Sequence, residues 1–300
     1  MRELRGVLGP VTTPFDERGE LARAAFAENV RAHLAEGLSG VVVAGSTGEA
    51  ALLDEAERGS LVAWARPIVP ADRWLIAGTG AESTRACIRR CRSAHEQGAD
   101  AVLVVAPHYY TGAMTLEALR EHYAKVADAS PLPVILYNIP KYAHFALHPH
   151  LVSELTRHEN VIGLKDSAGD LAMLERYLEA QSATFTVLTG NGPTFLDALE
   201  RGVRGGILAM ALFAGPLTVT ILERYGAGDA EGARRAQERI SPAASRIVGA
   251  FGVPGVKAAL DAAGLAGGPV RSPLQPLNQA QRDEVAALTD GTAIGQTVRA

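Results

Sequence analysis

Eight short apolar runs, near residues 6–13, 40–45, 73–78, 101–106, 133–139, 161–166, 185–190 and 205–211, recur along this chain with helix-length stretches between them. Such alternation makes successive strands parallel, because each helix carries the chain back to the edge where the last strand began. Eight repeats are the number that closes a parallel sheet on itself, so the pattern predicts an α/β fold, a (β/α)8 barrel. The runs are apolar at consecutive positions rather than at every second one, as strands need when helices cover the outside and side chains fill the inside. Helix starts punctuate the stretches between them: Asp54 and Glu57 have the spacing of a capping box.

A chain of 300 residues would ordinarily suggest two domains, yet barrels of this kind use that length as one. Residues 1–214 are expected to form the barrel and 215–290 a C-terminal helical extension, with helical stretches near 215–225, 229–250 and 254–263. Residues 291–300 read as a loose tail. The net charge of −4 is spread in both signs, which leaves no basic face for nucleic acid or membrane phosphates and favours a small-molecule role. No apolar run reaches the roughly 18 residues of a membrane span, and Met1 to Arg5 do not read as a secretory signal, so a cytoplasmic protein is expected. Cys87 and Cys91, without a second cysteine pair, read as ordinary positions of a helix rather than as a metal site.

Polar residues gather at the carboxyl ends of the runs, the rim where barrels of this class bind ligands: Ser46 and Thr47, Tyr109 and Tyr110, Tyr137 and Asn138, and Lys165. Lys165 carries the sharpest signal. It stands in Val161-Ile162-Gly163-Leu164-Lys165-Asp166, where an ammonium loses its hydration, so the amine is expected to be partly neutral and able to attack a carbonyl. Tyr137 ends the preceding run 28 residues earlier, about one repeat, which puts both side chains at one end of adjacent strands. Gly45-Ser46-Thr47-Gly48-Glu49 forms a turn of hydroxyls and backbone N–H groups that suits a carboxylate. Each feature alone has an ordinary reading: a lysine paired with Asp166, a tyrosine in the core, a simple turn. Their succession along one rim favours a site. Glu49 reads as structural.

With these motifs, together with Tyr137-Asn138-Ile139-Pro140 and Gly163-Leu164-Lys165-Asp166, the sequence resembles the dihydrodipicolinate synthase and N-acetylneuraminate lyase family of class I pyruvate aldolases, from about Val7 to Leu277. Pro107 to Gly112 and Phe251 to Gly255 look most like the 4-hydroxy-2-oxoglutarate aldolase branch. The resemblance implies a Schiff base on Lys165, proton transfer by Tyr137 and a carboxylate held by Ser46 and Thr47, with no metal and no organic cofactor. It also implies that Thr47 and Tyr109 serve catalysis, that Tyr109 reaches a neighbouring subunit's site in a homotetramer of two dimers, and that Gly48, Gly190 and Ile207 line the pocket. The substrate would be a small 2-oxo acid, and the reaction the reversible cleavage of 4-hydroxy-2-oxoglutarate to pyruvate and glyoxylate.

One position departs from the resemblance. In the synthase branch an arginine two residues after the Tyr-Asn-x-Pro tetrad binds the second substrate's carboxylate; here it is Tyr142, preceded by Lys141, and a tyrosine offers no bidentate fork. Condensation of pyruvate with aspartate semialdehyde, the synthase reaction, remains the alternative, with Lys141 as a point charge. Gly190-Asn191-Gly192-Pro193 lacks the acidic residue that a long sugar substrate would want. Two further readings compete: a metal-dependent aldolase built on His144, His148 and His150, against which Pro149 breaks the helical spacing, and a pyruvate-binding sensor without turnover. Neither a dinucleotide fingerprint nor a Walker-type motif occurs.

Overall fold

The computed structural model describes residues 2–292, so most of the expected tail, residues 293–300, lies outside the described residues. The elements run β1 (Gly6–Pro10), α1 (Arg23–Ala35), β2 (Gly40–Val43), α2 (Glu55–Ala65), β3 (Trp74–Gly78), α3 (Thr84–Glu96), β4 (Ala101–Val105) and α4 (Leu116–Ala129). They continue with β5 (Val134–Asn138), α5 (Pro140–Ala143), α6 (Pro149–Leu155), β6 (Val161–Asp166), α7 (Leu171–Leu178), β7 (Thr186–Thr189), α8 (Phe195–Glu200) and β8 (Gly205–Ile207). The C-terminal part holds α9 (Gly215–Gly226), α10 (Ala230–Ala243), α11 (Gly252–Ala262) and α12 (Gln279–Asp290). All eight strands pair in parallel with their sequence neighbours, and β8 returns to β1, which closes the expected (β/α)8 barrel.

Strand residues sort into two cores. Leu8, Val42, Ile76, Leu103, Ile135 and Leu188 point inward and fill the barrel. Their neighbours Val7, Val41, Leu75, Val102, Leu136 and Val187 point outward against the helices. This alternation of two apolar faces explains why the runs showed no period of two. At the amino-terminal end Trp74 closes the interior, with the Arg2 guanidinium stacked 3.9 Å from its ring and its indole N–H donated to the Glu3 carbonyl. The seam between β8 and β1 depends on backbone contact: Gly205 has φ +142°, and a Cβ there would strike the carbonyl of Gly6.

Several boundaries differ from expectation, for identifiable reasons. The last run ends as a strand at Ile207 and continues as a 3-10 turn, Ala209–Leu212; Met210, Ala211 and Leu212 are as buried as strand residues, so hydrophobicity does not mark the change. The stretch near 229–250 is α10 followed by a π-helical segment, Ala244–Ala250. Helix α9 packs against β1 and α8, in the ring position of the eighth repeat. Helix α12 falls within the expected 215–290 extension, though not among its named stretches; its capping box of Asn278 and Gln281 stands in the sequence. The capping box expected of Asp54 and Glu57 is present. Cys87 and Cys91 are free and buried on α3. Among the described residues no helix is long and apolar enough to cross a membrane.

Two buried histidines give the fold an acid sensitivity. His33 on α1 is fully buried with neither ring nitrogen hydrogen-bonded, and burial lowers its pKa to about 4. His122 on α4 is held by Thr84 at 2.9 Å and is lowered to about 4 by burial as well. Both stay neutral in the folded chain when they would already be charged in the unfolded one. As pH falls from 6.5 toward 4, each is therefore expected to cost about 1.4 kcal/mol of stability per pH unit. Urea unfolding across this range should show the decline, and His33→Leu should flatten it by roughly that amount. Parallel profiles for the two proteins would contradict this account.

Candidate active site

The register of two strands makes the site. Tyr137 on β5 lies directly opposite Lys165 on β6, and both side chains turn into the barrel near its carboxyl end. Lys165 Nζ is 3.2 Å from the Tyr137 hydroxyl oxygen and 4.2 Å from the centre of its ring. Both residues are 5% exposed, so the amine meets little solvent. Asp166, one residue on, points the other way: it accepts from Asn138 Nδ2 at 2.7 Å and from the Ala168 N–H at 3.2 Å, while Asn138 Oδ1 accepts from the Leu147 N–H. Burial raises the Asp166 carboxyl above its ordinary range, against those two donors. Lys165 makes no ion pair among the described residues, which removes the ordinary reading of it as the partner of Asp166.

A cavity of about 170 Å³ opens above the lysine, and Ser46, Thr47, Tyr137, Lys165, Gly190 and Ile207 all line it. Ser46 to Gly48 form a single 3-10 turn after β2. Gly190 follows β7, and a Cβ there would lie 2.7 Å from Lys165 Cε and would strike Ser167 Oγ, so glycine leaves room for the lysine side chain. Gly48 is buried behind the turn: its carbonyl accepts from Thr13 Oγ1 at 2.7 Å, and it is not part of the cavity wall.

Lys141 and Tyr142 stand at the mouth. The Lys141 ammonium donates to the Gly249 carbonyl at 2.9 Å, which ties α5 to the π-helical segment across the opening. Tyr142 is 41% exposed; burial, and then the neighbouring Tyr137, push its phenol above the ordinary tyrosine range. Lys141 and Lys165 are the charged side chains of the described lining, which contains no carboxylate. The enclosure is therefore electropositive and accommodates an anion.

Tyr109 is placed elsewhere. It is 75% exposed, packs edge-on against Tyr110 at 5.0 Å, and lies outside the cavity of its own chain. The histidines do not converge on a metal: His148 and His150 are 6.5 Å apart by ring centres, His150 faces Glu154, and no cluster of metal-ligating groups occurs among the described residues.

Sequence reasoning missed the far wall of the site. Val248, Gly249, Gly252, Val253 and Val256, from the π-helical segment and α11, cover the cavity. It also missed the buried ion pair behind the turn, Lys257 Nζ to Glu49 Oε1 at 2.5 Å. Burial lowers the Lys257 pKa, and Glu49 opposes that shift. A signal existed: Lys257 falls on the same face of α11 as Val256 and Leu260, where a charge calls for a partner.

Comparison with known proteins places the fold and the family. The 4-hydroxy-tetrahydrodipicolinate synthase of Exiguobacterium sp. is 33% identical over 273 residues, covering 91% of this chain and 92% of that protein. A dihydrodipicolinate synthase of Bacillus anthracis superposes with a TM-score of 0.92 at 29% identity, over 97% of this chain and 99% of that one. A prophage protein of Escherichia coli K12 from the same family, solved in complex with pyruvate, superposes at 0.90 with 27% identity, over 96% and 98%. Residues 3–291 match the dihydrodipicolinate synthetase family, and the chain belongs to that family.

Proposed function

We propose that this enzyme, a carbon–carbon lyase of the class I aldolase type, cleaves a short 4-hydroxy-2-oxo acid such as 4-hydroxy-2-oxoglutarate to pyruvate and glyoxylate, and runs the reverse condensation. The observation that carries this reading is the buried Lys165–Tyr137 pair, 3.2 Å apart in a cavity without a carboxylate. Lys165 Nζ attacks the C2 carbonyl to give a carbinolamine; Tyr137 protonates the departing hydroxyl, and water leaves an iminium. That cation draws in the electrons of the C3–C4 bond as the C4 hydroxyl proton passes to the tyrosine oxygen, so the aldehyde departs and an enamine remains. Protonation of the enamine and hydrolysis release pyruvate and the free amine. Members of this family work through such a lysine Schiff base with pyruvate and use no metal or organic cofactor.

Ser46 and Thr47 would receive the carboxylate next to the reacting carbonyl, and Lys141 with Tyr142 would meet the aldehyde's own carboxylate at the mouth. About 170 Å³ is small beside the 300–1,000 Å³ of sites for drug-sized ligands, which favours two- and three-carbon fragments over a sugar acid. The exposed Tyr109 would complete a neighbouring subunit's site in a tetramer of paired dimers.

A second reading has support from the relatives, which carry the name 4-hydroxy-tetrahydrodipicolinate synthase at 31–34% identity. Condensation of pyruvate with aspartate semialdehyde uses the same enamine. Tyr142 stands where the synthase branch would carry an arginine fork, and this departure favours the aldolase reading.

Two outcomes are expected. Incubation with pyruvate and either glyoxylate or aspartate semialdehyde should yield 4-hydroxy-2-oxoglutarate faster than the cyclic product, as read by mass spectrometry; condensation with the semialdehyde alone would transfer the assignment to the synthase. In cleavage assays Lys165→Ala should lose at least about four orders of magnitude in kcat, and Tyr137→Phe roughly two to three. Near-normal turnover in the lysine variant would contradict the mechanism.

A further inference from the structure

The turn that faces the cavity is held in an unusual form. Ala44 and Glu49, which bracket Gly45 to Gly48, have φ of 51° and 57°, a left-handed conformation that residues other than glycine rarely adopt. Local bonds, from the Glu49 N–H to the Ser46 carbonyl and from the Ala50 N–H to the Gly45 carbonyl, close the turn but span only six residues. Strain of this kind persists where the surroundings over-determine it.

Beside the bond from Thr13 Oγ1 to the Gly48 carbonyl, the Glu49 side chain supplies external hold. One carboxylate oxygen takes the Lys257 ammonium at 2.5 Å, and the other accepts the backbone N–H of Arg271 at 2.9 Å. The two side chains are 0% and 2% exposed. Lys257 in turn donates to the Pro269 carbonyl at 2.7 Å. Lys257 and Arg271 both approach the Phe15 ring, at 4.5 and 4.2 Å from its centre, and Arg271 forks onto Glu57 at the start of α2. Among the described residues the partners of the Glu49 carboxylate therefore come from α11 and the loop after it, more than 200 residues along the chain. Helix α11 also supplies Val253 and Val256 to the cavity wall.

We propose that the Glu49–Lys257 pair is a positioning device for substrate binding, through which the C-terminal helices hold the Ser46–Thr47 turn in the form that receives the oxo-acid carboxylate. The proposal rests on the pyruvate reading given above. An unpaired carboxylate buried behind this turn would be costly, and it would oppose an anion arriving in front. Lys257 removes both effects, and neither member of the pair touches substrate.

The test is the exchange of pyruvate methyl hydrogens in D2O, which requires the enamine but no aldehyde, followed by proton NMR. Lys257→Met and Glu49→Gln should each raise half-saturating pyruvate about 10-fold while the maximal exchange rate changes less than about 3-fold, and the double variant should stay within about 3-fold of either single variant, because the same brace is lost in all three. If Lys257→Met does not fold, Glu49→Gln, whose amide oxygen still accepts from Arg271, carries the same comparison. Half-saturation unchanged in a folded single variant, even one with a lowered melting temperature, would overturn the positioning role. No exchange by the wild-type protein would instead overturn the pyruvate reading itself.

Discussion

An ammonium group is held inside a closed sheet, opposite a phenol and away from any carboxylate, and this one constraint sets the terms for the rest of the site. It arises from register: Tyr137 pairs with Lys165 across β5 and β6, and closure of the barrel turns both inward. Burial leaves this side chain with little solvent and no carboxylate partner among the described residues. In the proposed reaction a covalent bond to a keto acid brings the substrate's own carboxylate beside it.

The lower barrel and the C-terminal helices divide the work of maintaining this arrangement. Beneath the lysine, Leu8, Ile76, Ile135 and Trp74 exclude water and give the strands a rigid interior. Above it, the cavity is roofed by residues that the eight repeats do not provide, from the π-helical segment and α11. Those same elements bring the charged partners of the β2 turn. The extension thus encloses the site and braces one wall of it, and a barrel that ended with its eighth strand would leave the lysine open to solvent.

What could be seen in the sequence follows from which forces are local. The eight strands were legible because burial on two faces produces unbroken apolar runs, and Lys165 and Tyr137 stood out as exceptions within them. Asp54 announced its helix through a capping box contained in four residues. The roof was not legible: Lys141 meets Gly249 across 108 positions, and Glu49 meets Lys257 across a still longer separation. A lysine in a helix is solvated in most folds, so Lys257 could have been suspected only from its position on an apolar face. Nor did hydrophobicity separate the short β8 from the buried turn that follows, since both exclude water equally.

The most direct measurement is reductive trapping: the protein is treated with pyruvate and borohydride, digested, and mapped by mass spectrometry. A single adduct of reduced pyruvate on Lys165, absent without pyruvate and absent in Lys165→Ala, is the expected result. An unmodified Lys165 peptide, or an adduct distributed over surface lysines, would contradict the assignment of this amine as the nucleophile.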